Sequence, residues 1–94
     1  MTRGALAAYH EALRIDHRLA TQDPANAQWQ RDLVVSYMRL GDVEKQKGNT
    51  TGAVDFFTQA RAISARMVER DPTNAVWKND LVWVEQQIDA LKSE

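Results

Sequence analysis

The segment Asp23-Pro24-Ala25-Asn26-Ala27-Gln28-Trp29 returns 48 residues later as Asp71-Pro72-Thr73-Asn74-Ala75-Val76-Trp77. The same offset pairs Gly4 with Gly52, Ala5 with Ala53, Ala12 with Ala60, Ile15 with Ile63 and Arg18 with Arg66. It also pairs Asp32-Leu33-Val34 with Asp80-Leu81-Val82. A fixed period of this size is the signature of stacked supersecondary units, each of which buries its apolar face only against a neighbour. The chain is therefore read as two copies of one unit.

Each unit reads as a pair of helices. Pro24 and Pro72 stop a helix, because proline disfavours the α conformation in the residue before it. Asn26 and Asn74 are placed to cap the helix that follows by accepting a free backbone N–H. The run Gly48-Asn49-Thr50-Thr51-Gly52 is the other break. Gly48 suits the left-handed residue that closes a helix C-terminus. These signals predict an all-α chain of four helices over 2–22, 26–47, 50–70 and 74–92, in one domain spanning 1–94. Short links make neighbours antiparallel.

Apolar stripes at helical spacing agree. Trp77, Leu81, Val84, Ile88 and Leu91 lie on one face of the last helix, and Ala53, Phe57, Ala60, Ile63 and Met67 on one face of the third. Trp29, Leu33, Tyr37 and Leu40 line the second, with Glu44 ending the stripe; Ala5, Tyr9, Ala12 and Leu19 line the first. Gly41 lets the next helix approach closely. Trp29 and Trp77 read as core. Arg18–Asp32 and Arg66–Asp80 are expected as matching salt bridges within the two hairpins.

Composition narrows the function. Lys and Arg number 12 against 13 Asp and Glu, so there is no basic excess for nucleic acid or an anionic membrane. Cysteine is absent, which removes disulfides, thiolate metal sites and cysteine nucleophiles. No signal peptide or membrane-spanning run is visible, and the cytoplasm is the expected location. His10 and His17 are seven apart, whereas a helical metal pair wants a spacing of about four and a third ligand. There is no P-loop, dinucleotide fingerprint or nucleophile elbow. The chain is expected to be no enzyme and to hold no cofactor or metal.

Tyr37-x2-Leu40-Gly41 followed by Ala53-x3-Phe57-x2-Ala60 resembles the tetratricopeptide repeat. The Asp-Pro-x-Asn-Ala link and the stretch from Ala5 to Ile15, with Tyr9 at the place of Phe57, extend the likeness to almost the whole chain. The family repeat is about 34 residues, so each helix here is longer by about seven, close to two turns, which keeps the buried stripe in phase. The resemblance implies an α-solenoid fragment that binds a peptide or protein on the inner face of its first-type (A) helices. Carried over by position, that face holds Arg31, Val35, Met38, Asp42 and Lys45, with Asn79, Trp83 and Gln86 from the last helix. Trp83 has Val35 as its repeat mate and lies off the main stripe; groove exposure and packing on a neighbouring helix are both open to it. Some family members grip a partner's C-terminal carboxylate with Lys, Arg and Asn. Met38 and Asp42 stand at two of those positions here, so that clamp is missing.

The helix order is B, A, B, A, with no A helix ahead of the first. The first helix therefore lacks part of its partner surface, which favours either a longer array or self-association, for which a homodimer is the expected form. Asp89 stands where the earlier unit has Gly41, which suits a solvent-facing cap. The alternative to a binding module is thus a self-assembling structural unit; an enzyme or small-ligand domain is the weakest reading.

Overall fold

The computed structural model describes residues 3–93. Among them are four helices and no strand: α1 (Arg3–Gln22), α2 (Ala27–Gln46), α3 (Thr50–Arg70) and α4 (Ala75–Lys92). The expected start of the first helix at Thr2 lies outside the described residues. The helices pack in chain order, α1 on α2, α2 on α3 and α3 on α4.

The links explain the boundaries. Asn26 and Asn74 lie just outside their helices, both extended at φ −77°. Each side chain accepts from the backbone N–H of a tryptophan, Trp29 at 3.1 Å and Trp77 at 3.0 Å. Each asparagine N–H also donates to the carbonyl of the aspartate three residues back, Asp23 or Asp71. The repeated sequence thus builds one turn twice. Gly48 is left-handed at φ +82°. Around it, Gly48 N–H donates to Lys45 O and Asn49 N–H to Glu44 O, the paired bonds of a Schellman stop. Glu44 is buried, and its carboxylate accepts from Asn49 Nδ2 at 2.8 Å and Lys47 Nζ at 3.4 Å. That is how a charge can end an apolar stripe without an unpaired buried group.

The core is built from the predicted stripes. Leu40, Ala53, Phe57, Ala60, Val84 and Ile88 are almost fully buried. Trp29 and Trp77 are half-buried and pack against this cluster. Gly41 lies against the Phe57 ring, where an added Cβ would sit 2.6 Å from Cε1. The ring fills the space that glycine leaves.

Repeat mates differ in burial according to which neighbours they have. Val34 is 0% exposed, whereas its mate Val82 is 54% exposed. Ile63 is 7% exposed and its mate Ile15 37%. Helix α3 packs against both α2 and α4, whereas α1 packs chiefly against α2.

The expected bridges Arg18–Asp32 and Arg66–Asp80 do not form. Asp32 accepts from Gln28 Nε2 at 2.8 Å, and Asp80 is held by Arg31 Nε at 3.0 Å. The hairpin level is close to that expected: Gln30 Nε2 reaches Ala20 O at 3.1 Å, and Ser36 Oγ donates to the Asp16 carboxylate. The azimuth is what differs. Arg18 is two residues from both Asp16 and Ala20, about 200° around the helix from each, so it turns away from α2.

Candidate interaction site

Helices α2 and α4 run in the same direction, since both are antiparallel to α3. Two polar contacts join them. Arg31 Nε and Nη2 donate to the two Asp80 carboxylate oxygens at 3.0 and 3.4 Å. Further along both helices, Lys45 Nζ donates to Gln87 Oε1 at 2.9 Å. The two helices therefore present a shared face.

The residues expected on that face fall into three groups. Arg31 and Lys45 are engaged with α4. Val35, Met38 and Trp83 are half-buried, and Met38 and Trp83 pack against the core. The Trp83 ring meets Phe57 edge-on, with centroids 5.6 Å apart and planes at 79°. It is thus a packed side chain with one partly exposed flank. Asp42 is half-buried and accepts from Gln46 Nε2 at 3.4 Å, while Asn79 and Gln86 are exposed.

A second surface was not visible in the sequence. Between α1 and α3, over the start of α2, lies an open groove of about 570 Å³. Ala20, Leu33, Tyr37 and Ile63 form its apolar floor, and His17, Thr21, Gln59 and Arg66 stand on its walls. A smaller recess of about 250 Å³ shares Pro24, Gln30, Ile63 and Arg66 with it and continues to Met67 and Arg70. Around α2 the groove residues Gln30, Leu33 and Tyr37 are centred about 140° from Val35 and Met38, so the groove and the α2–α4 face use different residues. Neither recess is lined by an Asp or Glu. Burial raises the pKa of the Tyr37 hydroxyl. One signal was present in the repeat: Glu11 and Arg14 of α1 become Gln59 and Ala62 on α3.

His10 and His17 are both exposed, and among the described residues no three His, Asp or Glu side chains converge as metal ligands. Among the described residues no helix is long and apolar enough to cross a membrane. Compared with protein-family models, curated proteins and solved structures, the chain finds no match in any of the three.

Proposed function

We propose that this chain is a non-catalytic, tetratricopeptide-like interaction module whose peptide or protein partner lies along the α2–α4 face. The observation that carries this reading is the pair of cross-helix contacts, Arg31–Asp80 and Lys45–Gln87, which tie two parallel helices into one surface. Met38 and Trp83 are already held by packing on that surface beside the half-buried Val35, so a partner would order few side chains on binding. An aromatic ring and an arginine are favoured anchors. Arg31, Asp42, Lys45, Asn79 and Gln86 supply the polar surround.

Capture of partners from lysate by the wild-type chain, compared with Met38→Ala, Val35→Glu and Trp83→Ala, tests it. Loss of a captured partner with oligomeric state and melting intact supports the face. Val35→Glu guards against a Trp83→Ala chain that loses packing on Phe57. Unchanged capture by all three variants rejects it.

A second reading is favoured by the exposure of Ile15 beside its covered mate Ile63. In that reading the open side of α1 joins a second copy as a homodimer. Light scattering that gives a monomer at high concentration rejects this reading.

A further inference from the structure

We propose that the groove between α1 and α3 is a second docking site, and that its occupant is an acidic amphipathic segment of a partner protein. The proposal does not depend on the α2–α4 face, which uses Val35 and Met38 of α2 and none of the residues that line the groove.

Two arginines bring positive charge to the groove, and among the described residues no carboxylate forms an ion pair with either of them. Arg66 lines both recesses and makes no hydrogen bond or ion pair among the described residues. Arg70 reaches the groove's far end and spends one N–H on Ala25 O at 3.1 Å. This is local, because the chain as a whole has a net charge of −1. The repeat supplies an internal comparison. On α1 the Arg14 hydrogen bond, aided by the charges of Arg14 and, least, of the matching arginine Arg18, lowers the Glu11 pKa. On α3 the mate of Glu11 is Gln59, which is neutral and lines the groove. The carboxylate present in one copy is absent from the other at the place where the groove opens.

The floor sets the rest of the occupant. Ile63 and Leu33 offer an apolar seat, and the Tyr37 hydroxyl has no hydrogen-bond partner among the described residues. A volume of about 570 Å³ holds a few side chains from one face of a helix. A carboxylate beside that apolar stripe would accept from Arg66 and from Tyr37. Arginine suits this role because its planar fork matches a carboxylate.

The test is selection of a randomised 16-residue phage-displayed peptide library on the folded chain. Wild type is expected to enrich sequences with Leu, Ile or Phe at helical spacing and at least a threefold excess of Asp and Glu over the input library. Arg66→Glu should abolish the acidic excess, and Ala62→Trp, which fills the groove from an exposed position, should abolish the enrichment. Met38→Ala should select the same peptides as wild type, which separates this site from the α2–α4 face. Circular dichroism melts establish that each variant folds. Peptides without acidic excess, the same peptides on all variants, or no enrichment would each overturn the proposal. So would tighter binding of a 12-nucleotide single strand than of the selected peptide.

Discussion

The Phe57 ring occupies the volume that a side chain on Gly41 would need, with Cε1, Cδ1 and Cζ all within 2.9 Å of the place of a Cβ. Phe57 is fully buried, so the ring has nowhere to retreat. Gly41→Ala should therefore destabilise the chain although alanine favours helix by about 1 kcal/mol. Overpacking costs about 1–3 kcal/mol, leaving a net loss of up to about 2 kcal/mol. Urea unfolding monitored by circular dichroism reads it directly. A variant as stable as wild type would mean that α2 and α3 stand further apart.

Ser64 is buried with a hydroxyl that has no partner among the described residues. Its mate Asp16 accepts a hydrogen bond from Ser36, but the mate of Ser36 is Val84, which offers no polar atom. An unsatisfied buried polar group costs about 1–3 kcal/mol. Ser64→Ala should raise stability by about 1 kcal/mol, or about 4–8 °C in Tm for a domain of this size. A lower Tm would point to an unseen partner for the hydroxyl.

The Arg31–Asp80 pair has side chains 37% and 14% exposed, so solvent weakens it. A double-mutant cycle with Arg31→Ala and Asp80→Ala should give a coupling of about 0.5–1 kcal/mol. The same cycle on Arg18 and Asp32 should give none beyond about 0.3 kcal/mol. A coupling of no more than about 0.3 kcal/mol in the first cycle would show that the Arg31–Asp80 pair is not formed in solution.

The Thr73 hydroxyl and backbone N–H both donate to Asp71, and these bonds lower its pKa from the ordinary 3.8. Because the folded value lies below the unfolded one, the contribution of Asp71 to stability is fully present above 3.8. It is lost as the pH falls through the lowered native value. Thr73→Val, which keeps the backbone donor, should move the Asp71 titration part of the way back up. Carboxyl-detected NMR follows this. No movement would mean that the hydroxyl contact is broken in solution.

Much of the architecture could be read before any coordinates, for local reasons. Asp-Pro-x-Asn makes its turn from its own side chains, and Gly48 stops α2 through its own backbone. The stripes through Phe57 and Ile88 depend only on helical period. What escaped the sequence depends on rotation and splay. Arg18 and Asp32 share a level on the hairpin but not a direction, and seriation along the chain carries the first quantity only. The groove between α1 and α3 is lined by two helices that are not neighbours in sequence, over Leu33 and Tyr37 of the helix between them. No periodicity encodes that arrangement. Arg66 shows the same limit: it looked like the partner of Asp80 until Arg31 was seen to reach that carboxylate from a helix two elements earlier.

Val34 and Val82 have a lesson for anyone who would merge the two copies into one idealised unit. Averaging treats matched letters as equivalent votes, yet one valine is sealed in a dry interior and the other meets water. A blended template drawing on the later copy would put the Asp89 carboxylate into the seat of the Phe57 ring. The two halves share a pattern but answer to different surroundings, and each has to be idealised by itself.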